Sequence, residues 1–497
     1  MLFSDPIFIL GFLPASLVIF HLIRLNAPGT VAVGAIVALS MLFYAYWSTL
    51  FLLLLLAQIG VNYLIGTRLE ANRDRQKQIL AVAIIFNLFL LGYFKYRNFF
   101  VENFAAAFGW HVHLAALVIP LGISFHTFQQ IAFLIDLKKG SIKLPPLLNY
   151  VMFVLFFPQL IAGPIVLHRE MAEQVADLRA GRGRGLAYFG AGMLIFVFGL
   201  FKKVCLADNI APFADGAFWP DRSLMLPEAW AGALAFTLQL FFDFSGYSDM
   251  AVGLGLMFGF KLPNNFLVPY AATSILEFWR RWHITLMRFF TVYLYNPLWL
   301  KSRRLLRQIK PRPGLALDFV VSMALPTLII FFLSGLWHGA GWTFICFGLV
   351  HGTAVVVNQA WRIAGLPFSP RLGWVVTTLV VIIGAVYFRA LDLGQAHYIL
   401  HQMFLPSEPL SVPAWLNALL PLGLPIGTFT LFSELRETVI CLGWIALLGS
   451  LSLLLPPLAA APDDLVPTPK KAVAMACMTW LMLNFVGAPR TFLYFAF

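Results

Sequence analysis

His338 lies in GLWHGAGW (335–342), between Trp337 and Trp342 and among Gly335, Gly339 and Gly341. An imidazole exchanges its proton near neutral pH, so a histidine in such a setting suits general-base chemistry. The glycines let a ligand or a second backbone come close. A second histidine, His283, sits in ILEFWRRWHITLMRFF (275–290) with Trp279 and Trp282. At 100° per residue, Glu277, Arg281 and Arg288 form one stripe, and Trp279, Trp282, Leu286, Phe289 and Phe290 form the opposite face. This pattern predicts one amphipathic helix at a membrane interface, tryptophans and arginines at headgroup depth, with His283 on the edge of its apolar face. Each histidine also has a plain reading: a packed helix-end residue for His338, an interfacial one for His283.

Two further stretches place polar groups inside apolar runs. FFDFSGYSDMAVGLGLMFGF (241–260) carries Asp243 and Asp249. Lone carboxylates are costly there, so these are expected to cap broken helix ends, to pair with Arg280 or Arg281, or to contact substrate. GISFHTFQQ (122–130) offers Gln129 and Gln130, which suit either a substrate carbonyl or helix–helix hydrogen bonds. No phosphate-binding loop, dinucleotide fingerprint, HExxH or GxSxG motif is present. His283, His338 and His351 lack neighbours at ligand spacing, so no metal site is expected.

These residues need a scaffold, and composition defines it. Of 497 residues, 60% are hydrophobic and only 11% charged, against about 25% in a soluble domain. Mean hydropathy is +0.83. So few charges cannot coat a soluble protein of this length, but they suffice for the polar caps of a helical membrane protein. The net charge of +12 fits cytoplasmic loops rich in Lys and Arg, and no nucleic-acid partner is inferred. The four cysteines form no CxxC pair. The first apolar run has no basic flank and no small-residue cleavage site, and is expected to be a retained helix.

Apolar runs near the ~20 residues needed to cross a bilayer fall at 6–25, 30–47, 48–66, 79–94, 114–135, 186–204, 229–260, 316–338, 341–361, 372–388, 437–457 and 472–487. Segment 147–166, ending FFPQLIAGP, is expected to re-enter and return to one side. Segment 229–260 is expected to be two helical pieces around a polar break. Basic segments 67–78, 138–143, 168–184 and 301–312 then share one face, the cytoplasmic one, with Lys202 and Lys203 as exceptions. The chain is expected to form one membrane domain: helices in 1–113, a core in 114–400 and further helices in 401–497.

Four of these stretches, FFPQLIAGPI (156–165), FDFSGYSDMAVGLGLMFGF (242–260), EFWRRWHITL (277–286) and GLWHGAGWTF (335–344), resemble membrane-bound O-acyltransferases in both order and spacing. The likeness is greatest to the bacterial branch of alginate O-acetyltransferases and teichoic acid D-alanyl transferases. YFRALDLGQA (387–396) and the terminal FLYF (492–495) extend it over nearly the whole chain. Residues 289–299, FFTVYLYNPLW, depart from it: Thr291 and Val292 stand where relatives commonly have Arg-Asp.

The resemblance implies an all-α polytopic protein, a ring of about 11–13 tilted helices with re-entrant and interfacial helices around a tunnel. It implies acyl transfer from a cytoplasmic thioester, acetyl-CoA, with no bound cofactor, in a bacterial inner membrane among lipids. The acceptor would be an exopolysaccharide, reached through a periplasmic serine-hydrolase-like partner. His338 and His283 match the family's two histidines. His338 is the expected base, and His283, Trp337 or the Gly339 amide an oxyanion donor. Alternatively, one histidine carries the acyl group covalently. Trp337, Gly339, Gln129, Trp279, Trp282 and Asp243 are the expected substrate contacts. A transporter or flippase is the rival reading, although no paired broken helices support it.

Overall fold

The computed structural model describes residues 1–110, 112, 114–183, 186–220, 222–309, 314–405, 411–420, 425–465, 468–485 and 492–493. The basic residues Arg184, Lys310 and Arg312, and the last two residues of the FLYF motif, lie outside them. The described residues are helical, with one isolated bridge, Val412 to Ile426. In chain order the main helices are α1 Ile7–Asn26, α2 Gly29–Ala45, α3 Thr49–Ala71, α4 Arg73–Ala107, α5 Ile123–Lys138, α6 Leu147–Leu155, α7 His168–Arg179, α8 Phe189–Ala217, α9 Leu226–Met257, α10 Ile275–Arg281, α11 Ile284–Phe290, α12 Asn296–Gln308, α13 Leu315–His338, α14 Trp342–Ile363, α15 Pro370–Arg389, α16 Leu393–Phe404, α17 Leu435–Leu454 and α18 Pro469–Phe485.

Among the described residues, eight helices are long and apolar enough to cross a membrane: α1, α3, α4, α8, α13, α14, α15 and the run Leu435–Ala460 that contains α17. They expose large apolar side chains such as Leu10, Ile85, Phe89 and Leu454. Such surfaces are stable only against lipid or a partner. This is an all-α polytopic membrane protein.

The chain forms two compact units. The first comprises Met1–Phe201, Gly246–Asn264 and a C-terminal piece from Leu458. Its core holds an amide network across α3, α4, α5 and α6. Asn62 and Asn87 exchange hydrogen bonds at 3.1 and 2.7 Å, Asn62 donates to Gln130 at 3.0 Å, and Tyr150 donates to Gln130 at 3.3 Å. In an apolar medium such side-chain amides tie helices together. Gln130 is therefore helix glue, and its neighbour Gln129 is buried on α5.

One expectation about this unit changes and another can be compared. The apolar run 114–135 becomes helical only at Ile123, because Gly122 turns the chain at φ +72° and a Cβ there would meet Leu160 O at 2.5 Å. Segment 147–166 is broken, as its prolines suggest: α6 stops at Leu155, a single turn follows at Phe157–Leu160, and the segment is almost wholly buried.

The second unit comprises Lys202–Ser245 and Asn265–Pro457. The expected polar break in 229–260 does not exist. α9, of which Leu226–Ser245 belong to this unit, is one continuous 32-residue helix. Asp243 needs no broken end because a neighbouring helix supplies the counter-charge. α8 winds into a π turn at Lys202–Ala207, an irregularity that redirects side chains. Lys203 Nζ there lies 2.6 Å from Asp243 and 2.7 Å from Asp208, and Lys202 donates to Ser245 at 3.3 Å. Asp243 thus pairs with Lys203 and not with Arg280 or Arg281. Two lysines that disturbed the charge map are internal partners of α9.

α13, α14 and α15 pack in succession, and α10 packs on α14 and α15. Glycine sets the α13–α14 spacing: a Cβ on Gly335 would meet Phe344 O, and one on Gly348 would meet Phe331 O, each at 2.2 Å. Backbones approach this closely only without side chains between them.

Candidate active site

The stretch 275–290 is not one helix. Ser274 caps α10 by accepting from the Glu277 amide at 3.2 Å, and Glu277 takes the Thr273 amide at 2.7 Å and Arg281 at 2.6 Å. Burial opposes ionisation of Glu277, yet the Thr273 hydrogen bonds and the Arg281 guanidinium hold its carboxyl below the usual carboxylate range. The helix ends at Arg281. Trp282 is extended, and His283 adopts the left-handed region at φ 44°, ψ 50° before α11 begins. A non-glycine residue there costs roughly 1–3 kcal/mol and persists only when its surroundings hold it.

What holds it is a non-helical segment that precedes α10. Leu267 N donates to Arg281 O at 2.9 Å, and Ile284 N donates to Asn265 O at 3.0 Å. The Asn265 side-chain oxygen lies 3.1 Å from His283 Nδ1 and accepts from Thr285 N at 3.2 Å and Thr285 Oγ1 at 3.0 Å. Helical periodicity placed His283 on the edge of the apolar face of one interfacial helix. The break turns it inward, where it is 0% exposed. Asn265 escaped the sequence reading, because an asparagine in a loop before a helix reads first as a turn or cap residue.

The break also reorients the tryptophans, which pack inside the protein rather than on an exposed face. Trp282 stacks on Phe278 at 5.6 Å and meets Phe266 edge-on at 5.1 Å. Trp279 lies 5.2 Å from Phe331 and 5.0 Å from His351. Both indoles are buried.

His338 is the last residue of α13 and is 5% exposed. Its ring stands edge-on to Phe347 at 5.5 Å and Phe388 at 5.2 Å, which places α14 and α15 against it. Trp337 packs against the His338 ring at 4.9 Å and against the His283 ring at 5.7 Å. One indole therefore touches both motif histidines. The Gly339 amide closes the helix onto Gly335 O at 3.4 Å, and a Cβ at 339 would strike the Phe344 ring at 2.1 Å. That glycine makes room for the hairpin. His351, on α14, is a third imidazole in the same aromatic cluster, 4.8 Å from Phe347.

Thus His283, His338, Trp337, Trp279, Trp282 and Gly339 all belong to the second unit, together with Asp243, which pairs with Lys203. Gln129 belongs to the first unit. Among the described residues, no group of three or more His, Cys, Asp or Glu is arranged to hold a metal. A cleft of about 480 Å³ opens beside the cluster, with Trp279 and Phe331 in its wall and Arg280, Arg288, Thr327 and Gln359 among its polar lining. An apolar wall with two guanidiniums suits an anionic amphiphile. Buried imidazoles beside such a cleft can move a proton during acyl transfer.

The fold and cluster define a polytopic helical membrane protein with two buried histidines, one at the end of α13 and one in the turn between α10 and α11. A profile of the MBOAT, membrane-bound O-acyltransferase family, matches residues 137–310. A peptidoglycan O-acetyltransferase of Helicobacter pylori is 39% identical over 435 residues, covering 81% of this chain and 80% of that protein. A probable alginate O-acetylase of Azotobacter vinelandii is 39% identical over 416 residues, covering 81% and 78%. A teichoic acid D-alanyltransferase of Lacticaseibacillus rhamnosus is 28% identical over 335 residues, covering 59% and 76%. The chain belongs to the membrane-bound O-acyltransferase family, and it is an O-acyltransferase.

Proposed function

We propose that this protein takes an acetyl group from a cytoplasmic thioester, acetyl-CoA, and passes it across a bacterial inner membrane for O-acetylation of an exported polysaccharide. A periplasmic acyltransferase with a serine-hydrolase-like domain receives the group on the far side. The observation that carries this reading is the meeting of His283, Trp337 and His338 in one buried cluster. The names of the relatives, O-acetyltransferases of peptidoglycan and alginate, favour acetyl as the group and a cell-envelope polymer as its destination.

A thioester is already activated, so the chemical task is to make a hydroxyl nucleophilic. Removing its proton during attack contributes roughly 10²–10⁴ in rate. His338 and His283 are the proposed catalytic pair, with Trp337, Trp279 and Trp282 shaping the cavity around the acyl group. The cleft with Arg280 and Arg288 supports a donor that joins an apolar arm to phosphates. Asp243, neutralised by Lys203, fits a structural role better than a substrate contact.

The test is acetyl transfer by the purified chain in proteoliposomes, with labelled acetyl-CoA, candidate polymers and the periplasmic partner. Label is expected on the partner or polymer only when the chain is present. Movement of a lipid-linked precursor without acetyl transfer would favour a transporter. Efficient polymer acetylation by the chain alone would refute the two-component scheme.

A further inference from the structure

We propose that Asn265 is a positioning residue for acyl transfer: its side-chain oxygen keeps the His283 proton on Nδ1, so that Nε2 presents a lone pair to the attacking hydroxyl. This rests on the assignment of His283 to the transfer site made above. The orientation of the Asn265 amide is not ambiguous. The Thr285 backbone amide can only donate, and it points at the same atom that the Thr285 hydroxyl and His283 Nδ1 approach, at 3.2, 3.0 and 3.1 Å. That atom is therefore the oxygen. An oxygen facing an imidazole nitrogen at 3.1 Å requires hydrogen between them, so Nδ1 carries it. A neutral imidazole has one N–H, which leaves Nε2 as the acceptor.

The surroundings make this a held geometry rather than one rotamer among several. Asn265 is 0% exposed and also anchors the backbone beyond His283 through Ile284. Phe244 meets the His283 ring edge-on at 4.8 Å and Trp337 lies on another side at 5.7 Å. The left-handed backbone at His283 accompanies the approach of its ring to Asn265. With this tautomer, neutral His283 does not donate from Nε2 to an oxyanion. It accepts the hydroxyl hydrogen instead. As the new O–C bond forms and the thioester C–S bond breaks, that proton leaves on the thiol.

Two measurements on the full chain in detergent test this. Ring-¹⁵N-histidine spectra of the wild type minus His283→Ala isolate one of the ten histidines. The Nδ1–H neutral tautomer is expected, and an Nε2–H signal would overturn the proposal without any variant of Asn265. In acetyl-transfer assays, Asn265→Ala is expected to lower kcat about 10–100-fold, as loss of an orienting partner does, with the donor KM unchanged. Asn265→Asp keeps an acceptor oxygen and is expected to restore most of kcat. Wild-type kcat in folded Asn265→Ala, or no rescue in folded Asn265→Asp, would reject the proposal. If His283→Ala itself transfers acetyl at the wild-type rate, the site assignment fails. If it is inactive while Asn265→Ala is normal, only the role of Asn265 fails.

Discussion

The indole of Trp337 stands 5.7 Å from the imidazole of His283, although the two residues come from separate helical segments. Since Trp337 also packs on His338, a tryptophan is the physical link between the two motif histidines. The arrangement makes the two rings members of one aromatic cluster, and their substitution is expected to have a shared outcome.

His338→Ala and His283→Ala are each expected to reduce acetyl transfer by roughly 10²–10⁴-fold, the range for a lost acid–base group. Both proteins should still be made and migrate as the wild type on size exclusion. Because His283 is buried beside Trp337, its loss should approach that of His338. If the His283 variant stays active while the His338 variant is dead, the single-site reading is wrong.

The Lys203–Asp243 pair should be judged by stability. Lys203→Met removes the ammonium beside Asp243 and Asp208 and is expected to cost about 3–5 kcal/mol, the usual penalty for breaking a buried ion pair. The double variant Lys203→Met with Asp243→Leu should recover much of that. Unfolding midpoints in detergent give both numbers, and a single variant as stable as the wild type would dissolve the pairing argument.

Gly335→Ala forces a methyl group onto the Phe344 carbonyl. Overpacking of this kind costs about 1–3 kcal/mol. A lower thermal midpoint and reduced transfer are expected, since the displaced α14 carries Phe347 away from His338. Gly341→Ala meets only ordinary contacts at 3.5 Å or more and should be mild. Equal effects at the two positions would contradict the packing account.

Membrane orientation follows from cysteine labelling after removal of Cys205, Cys346, Cys441 and Cys477. Single cysteines at Gly140 and Ser302 should react only when the cytoplasmic face is opened. One at Trp219, which is well exposed and close to Asp215 in the chain, should react in intact spheroplasts. Outside labelling at Ser302 would reverse the topology.

The class of protein was legible in composition alone. With 11% charged residues there is no way to face water over the whole surface, and runs of apolar residues near bilayer length follow. The identities of His283 and His338 were also legible, because an ionisable group flanked by tryptophan and glycine in an apolar chain is conspicuous. Helical periodicity, however, describes a segment as though it had no neighbours. It carried 275–290 through as one helix and set Trp279 and Trp282 at headgroup depth. In the folded chain Asn265 and Leu267 hydrogen-bond across the 281–285 backbone, and that non-local pairing breaks the helix and turns His283 inward. The reverse happened in 226–257. Local polarity predicted a break, but Lys203 supplied a counter-charge for Asp243, so α9 ran on unbroken. The sequence by itself determined which groups are present and that they must be buried. Only the tertiary structure decided their partners, because the hydrogen bonds and ion pairs that satisfy buried polar groups come from residues distant in the chain.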